Sequence, residues 1–142
     1  MRLLKQLSVV SLLLLGASHS LFGQGLFSGG DGSKSNPYQI ATEQDLRTLA
    51  DQVDNSNSFV GKYLKQTADI TFSEGTPVLP IGGPLTDGFH RDENRCFQGE
   101  YDGGMHKIYN LNIYDSEQLI VEGDEAHMAV GLFGALGPQA TI

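Results

Sequence analysis

The spacing of the apolar residues changes once along the chain, and this change limits the possible folds more than any other feature. Four apolar residues follow the i, i+3, i+4, i+7 spacing of one helix face: Leu46, Leu49, Ala50 and Val53. After residue 58 the spacing becomes two, which is typical of β-strands. The chain is therefore predicted to be mainly β, with one helix near its N-terminus.

The predicted helix covers residues 43–54. Thr42 suits the N-cap, and Asp45 three residues later suits both the capping box and the positive end of the helix dipole. Residues 55–58 read NSNS and are expected to end the helix. Residues 24–42 are predicted as a loop followed by a short first strand at residues 38–40.

Residues 59–142 are predicted to be β. One side of the first stretch carries Leu64, Gln66, Ala68, Ile70 and Phe72. Two polar positions in that stretch, Gln66 and Asp69, favour a bend or two short strands over one long strand. Phe97, Gly99 and Tyr101 alternate in the same way, and Ile81 is predicted to point inward.

A shift in the apolar pattern between Ile108 and Leu111 predicts a corner. The shift is three residues, and an ordinary strand cannot make it while keeping both side chains on one face. A corner at residues 109–110 can, because Asn110 tolerates left-handed backbone angles. Short strands joined by corners are typical of a β-solenoid.

The first 23 residues have the order of a secretory signal peptide. Arg2 and Lys5 precede an almost wholly apolar run at residues 7–16, and small residues follow it. That run is shorter than the ~20 residues that a membrane span needs. Cleavage after Ser20 or after Gly23 fits equally well. The chain is therefore predicted to be exported, with no membrane span once the signal is removed.

The composition narrows the possible partners. The net charge is −8, and removing residues 1–23, which contain two basic residues and no acid, makes it −10. An acidic chain without a basic patch is a poor partner for nucleic acid or an anionic membrane surface. Because Cys96 is the sole cysteine, no intramolecular disulfide can form.

Two arrangements of residues are candidate catalytic or metal sites, and neither matches a specific signature. Cys96 with His90 or His106 has the atoms of a nucleophile and base, but no third orienting group is evident. Asp102 and His106, with Asp92 or Glu93, lack the spacing of a metal site, and the turn-forming composition of residues 102–104 explains them as well.

Calcium binding through carboxylates was also weighed, at Asp31 and Asp69 or in the acidic residues 115–125. No regular calcium-loop pattern is present, and a solvated acidic surface explains these residues. The prediction is therefore no catalytic residue, no metal site and no cofactor.

Several segments resemble a family of GLUG-repeat proteins. Residues 131–134 read GLFG and residues 140–142 read ATI, which resembles the start of such a repeat and places it at 130–142. Residues 97–113 read FQGEYDGGMHKIYNLNI, similar to the segment that precedes these repeats. Matching pieces upstream are GDGS at 30–33, NPYQI at 36–40, GKY at 61–63 and ADI at 68–70.

The resemblance implies a right-handed parallel β-helix-like solenoid at residues 59–142, opened by a capping helix. Such regions occur in large exported bacterial proteins, including adhesin-like surface proteins and the non-catalytic part of some immunoglobulin A proteases. This chain departs from the motif at Met105, where glycine is usual, and in length, because the family continues with further repeats.

The expected function is that of a non-catalytic, secreted or cell-surface module for adhesion or binding, as the N-terminal or truncated part of a larger repeat protein. Its expected partner is an extracellular glycan or protein. The alternatives are an accessory, non-catalytic region of an exported protease or glycan-degrading enzyme, and a remnant that does not fold alone.

Overall fold

The structure is a computed structural model that describes residues 25–82, 95–113 and 131–142. Within these ranges the elements are β1 (Tyr38–Ile40), α1 (Glu43–Asp54), β2 (Tyr63–Gln66), β3 (Ile70–Thr71), β4 (Glu100–Asp102) and β5 (Ile108–Tyr109). The predicted signal peptide at 1–23 lies outside the described residues. So do 86–94 and 115–127, nearly all of two polar, charged segments (86–95 and 115–127) whose composition predicts excursion loops.

The strands form two parallel sheets. The larger has the order β1-β2-β4, and the smaller pairs β3 with β5. In the larger sheet Leu64 lies opposite both Tyr38 and Tyr101, and all three side chains face the core side. Single parallel bridges extend the pairing beyond the strands, between Val78 and Ile113, Ile81 and Phe133, Phe97 and Leu136, and Glu100 and Thr141.

The prediction of a right-handed parallel β-helix-like solenoid is wrong. The described residues form separate sheets of three and two strands, and neither sheet is closed or continues as a solenoid sheet. The physical reason is the shortness of the strands, which contain two to four residues before a corner or turn ends the ladder. Outside these strands the described pairing is reduced to isolated bridges.

The helix α1 covers Glu43–Asp54, the range predicted from its apolar stripe. Thr42 Oγ1 accepts a hydrogen bond from the Asp45 N–H at 3.1 Å, and the Asp45 carboxylate accepts one from the Thr42 N–H at 2.9 Å. This reciprocal pair is the predicted capping box. The stripe of Leu46, Leu49 and Val53 is buried in the hydrophobic core, and this packing holds the helix.

The corner predicted at residues 109–110 is confirmed. Asn110 has φ of +55°, in the left-handed region that Asn tolerates better than most residues. On either side of it Ile108, Leu111 and Ile113 are partly buried and pack against the core. The left-handed residue therefore changes the face to which the following side chains point, so that Ile108 and Leu111 both lie on the inner side.

A file of aromatic rings runs through the core and joins distant parts of the chain. Ring centroids lie 5.1 Å apart for Phe27 and Tyr38, 5.9 Å for Phe27 and Phe59, 6.4 Å for Phe59 and Phe97, and 5.3 Å for both Phe97–Phe133 and Tyr101–Phe133. These spacings are those of favourable tilted and edge-to-face pairs. The file thus ties the N-terminal segment to the C-terminal one.

Candidate functional site

The cysteine and histidine weighed as a nucleophile and base occupy different environments. Cys96 is buried beside the core, whereas His106 is on an exposed turn after β4. His106 Nδ1 lies 3.3 Å from the Asp69 carboxylate. Asp69 is therefore placed to orient the His106 ring, but this histidine faces solvent. His90 lies outside the described residues.

Three of the candidate metal-binding acids lie in the described residues, Asp31, Asp69 and Asp102, and each accepts local hydrogen bonds. The pKa of the Asp31 carboxyl is lowered by the Ser33 hydroxyl, by the Ser33 N–H at 2.8 Å and by the Asn36 amide at 3.2 Å, all of which donate to it. The backbone N–H of Lys107, 3.0 Å from the Asp69 carboxylate, lowers the pKa of Asp69 most. Across residues 25–82, 95–113 and 131–142, no group of three or more His, Cys, Asp or Glu residues could hold a metal ion.

The turn after β4 has a tight and unusual backbone. The His106 N–H donates to the Gly103 carbonyl at 3.0 Å, and both central residues have positive φ, +58° at Gly104 and +62° at Met105. This is the geometry of a type I′ turn. A Cβ at residue 104 would come within 2.6 Å of the Gln66 carbonyl oxygen, so glycine is required there.

The larger sheet presents two rows of polar side chains on its outward side, and we call these six residues the outer sheet face. One row is Gln39, Lys65 and Asp102, and the other is Tyr63, Glu100 and Thr141. Neighbouring strands of a sheet lie about 4.8 Å apart, so the members of each row stand side by side. The register of three parallel strands therefore builds a flat polar surface.

The charges on the outer sheet face are of both signs. Lys65 Nζ lies 3.3 Å from the Asp102 carboxylate, and both side chains are more than half exposed. The Gly104 N–H, and then Lys65, lower the pKa of Asp102. Glu100 is exposed in the second row, and the Lys34 ammonium lies 5.7 Å from the centre of the Tyr63 ring. The face thus offers ammonium and amide donors beside carboxylate and hydroxyl acceptors.

The sequence predicts no function for the outer sheet face. The alternation does assign Tyr63 and Lys65 to the side of β2 opposite Leu64. It does not reveal that Gln39 and Asp102 stand on either side of Lys65, because they are 26 and 37 residues away along the chain. The exposed, polar half of each alternating segment is the signal that could have pointed to the face.

No described helix combines the length and the apolar character that crossing a bilayer requires.

Comparison with known proteins gives one informative match. The chain is similar to a protein of Evansella cellulosilytica named "Putative Gly-rich membrane protein", at 28% identity over 121 residues. The alignment covers 82% of this chain and 12% of that protein's length. No family model matches the chain, and no solved structure does.

Proposed function

We propose that this chain is a non-catalytic binding module of an exported or cell-surface protein, and that it contacts its ligand through the outer sheet face. The observation that carries the proposal is the register of the larger sheet, which aligns Gln39, Lys65 and Asp102 in one exposed row.

The chemistry of the outer sheet face fits an extracellular glycan. Sugar hydroxyls both donate and accept hydrogen bonds, and the face mixes donors such as Lys65 with acceptors such as Glu100 and Asp102. Hydrogen bonds to charged groups are among the stronger ones in proteins. The face contains no run of large apolar side chains of the kind that anchors a tight protein interface.

Export is the second part of the proposal, and it rests on the order of residues 1–23. The similar Evansella protein is named a membrane protein, which agrees with a location at the cell envelope. Sequencing the N-terminus of the secreted product is the test. A product that begins after Ser20 or Gly23 supports export, whereas a cytoplasmic product that retains Met1 contradicts it.

The binding proposal is tested on a glycan array with the secreted protein and two charge-matched variants. Asp102→Asn removes a carboxylate from the outer sheet face, and Asp51→Asn removes an exposed carboxylate from α1. We expect Asp102→Asn to weaken binding by about tenfold, the effect of losing one charged hydrogen bond. Asp51→Asn should bind like the wild type.

Two results would overturn the assignment. Binding to no glycan on the array would remove the proposed ligand class. Equal loss in both variants would show that binding depends on net charge and not on the outer sheet face. Lys65→Ala provides an independent check, because its loss removes a donor from the same row without adding bulk.

A further inference from the structure

Met105 is the most exposed large apolar side chain in the described part of the chain. Its relative exposure is 101%, compared with 62% for Ile142, the next highest. The Met105 side chain has no buried surface. The thioether sulfur is therefore open to solvent from all sides.

The conformation of Met105 keeps it exposed. Residue 105 is the second central position of the type I′ turn, with φ of +62°, and at this position its side chain lies in solvent. The turn is fixed by the His106 N–H to Gly103 carbonyl bond and by the Gly104 N–H to Asp102 carboxylate bond at 2.8 Å. A left-handed methionine costs free energy that no packing contact returns.

We propose that Met105 is a surface modification site at which peroxides form methionine sulfoxide. A lone pair of the thioether sulfur attacks one peroxide oxygen, an S–O bond forms and the O–O bond breaks. The sulfur loses two electrons, and the departing hydroxide takes the proton of the transferred hydroxyl and leaves as water. The reaction needs only the peroxide. The proposed modification is independent of the proposed glycan binding.

Oxidation at this site should leave the fold intact. The added oxygen enters solvent, because Met105 has no core contact for the polar group to disrupt. Its exposure also makes the sulfoxide accessible to sulfoxide reductases, which reverse the reaction. Oxidation thus converts a solvent-facing apolar group, close to the outer sheet face, into a polar one without unfolding the sheet.

The test is treatment of the full chain with hydrogen peroxide in the presence of free methionine as an internal reference. Peptide mapping by mass spectrometry then follows each methionine separately. We expect the peptide containing Met105 to gain one oxygen at a rate within about threefold of free methionine. The unfolding curve, followed by circular dichroism, should remain unchanged.

Met105→Leu is the matched variant, because it keeps the size and apolar character of the side chain and removes the sulfur. Its corresponding peptide should gain no mass. If the Met105 peptide stays reduced while free methionine is consumed, the site assignment is wrong. Loss of cooperative unfolding in the oxidised wild type, with Met105→Leu unaffected, would contradict the claim that the modification leaves the fold intact.

Discussion

At the scale of single residues, the Asp45 carboxylate joins the N-terminal segment to the start of α1. It accepts hydrogen bonds from the N–H and hydroxyl groups of Ser28 and Thr42 and from the N–H of Ala41, at 2.6–2.9 Å. The side chain is buried, so replacing it leaves several donors without an acceptor. Asp45 is therefore more than a helix cap.

We expect Asp45→Ala to lower the free energy of unfolding by about 2–4 kcal/mol, from the lost cap and the unsatisfied donors together. Urea unfolding followed by circular dichroism measures this value. Asp51→Ala, on the exposed side of the same helix, is the control and should change it by less than about 0.5 kcal/mol. Similar effects for the two variants would contradict the role given to Asp45.

The same carboxylate predicts a dependence of stability on pH. Burial by itself would raise the pKa of Asp45, but hydrogen bonds from Ser28, Ala41 and Thr42 outweigh it and hold the pKa below the ordinary value. A lowered folded-state pKa contributes stability that is present above the unfolded pKa, about 3.9, and is lost as the pH falls through the folded pKa.

The stability advantage of the wild type over Asp45→Asn should therefore narrow as the pH falls below about 4. Urea unfolding of both proteins at a series of pH values measures it. Other carboxyls with lowered pKa values, such as Asp69 and Asp102, titrate in both proteins and cancel in the difference. An advantage that stays constant across this range would show that the Asp45 charge is not stabilising.

Met105 has a left-handed backbone conformation, which is unfavourable for a residue with a side chain. Met105→Gly removes the left-handed strain, which raises the free energy of unfolding, and gives the unfolded chain more entropy, which lowers it. We expect a net increase of about 0.5–1 kcal/mol. Met105→Leu keeps the strain and should match the wild type. Thermal and urea unfolding measure the difference, and a glycine variant less stable than the leucine variant would contradict it.

At the scale of elements, a buried polar group links the two sheets. The Tyr101 hydroxyl, on β4, donates to the Gln66 side-chain oxygen at 3.2 Å, and the Gln66 amide donates to the carbonyls of Ala68 and Lys107 at 2.9 and 3.3 Å. Burial raises the pKa of Tyr101, so the hydroxyl stays protonated and able to donate. Gln66 thereby connects β2 and β4 to the residue that precedes β5.

Tyr101→Phe should lower the free energy of unfolding by about 1–2 kcal/mol, because the buried Gln66 oxygen loses its donor. Tyr109→Phe is a matched control on the exposed side of β5 and should change it by less than about 0.5 kcal/mol. Urea unfolding compares the two variants. Equal and small effects would indicate that water reaches Gln66 in place of the hydroxyl.

At the scale of the whole molecule, the aromatic file decides whether the described segments unfold together. Phe97 is completely buried between Phe59 and Phe133, whereas Phe133 is only partly covered. We expect Phe97→Ala to cost about 3–5 kcal/mol and Phe133→Ala distinctly less. Urea unfolding followed by both circular dichroism and tyrosine fluorescence measures this, and an equal cost for the two variants would contradict the central position of Phe97.

Much of the local structure follows from the sequence, because it depends on residues close together in the chain. The helix, its capping box at Thr42 and the corner at Asn110 each require contacts over only a few residues. The alternation also identified Phe97 as an inward residue, and Ile81 was predicted to point inward from its Pro- and Gly-rich segment; both are buried. The signal peptide and the binding function stay predictions.

The β-solenoid expectation failed because it concerned non-local pairing. Alternation tells which side of a strand is apolar, but it does not tell which strand will lie beside it or for how many residues. The separation into a three-stranded and a two-stranded sheet is decided where the ladders end, at corners and turns between short strands. The outer sheet face also depends on this non-local strand pairing.

The sequence by itself determined the helix at Glu43–Asp54, the corner at Asn110 and inward residues such as Leu64 and Ile70, since those preferences act between near neighbours. Only the tertiary structure decided that Gln39, Lys65 and Asp102 share one face and that the Asp45 carboxylate reaches back to Ser28. The reason is that parallel pairing and buried hydrogen bonds join residues far apart in the chain. Their geometry is fixed only when the whole core packs.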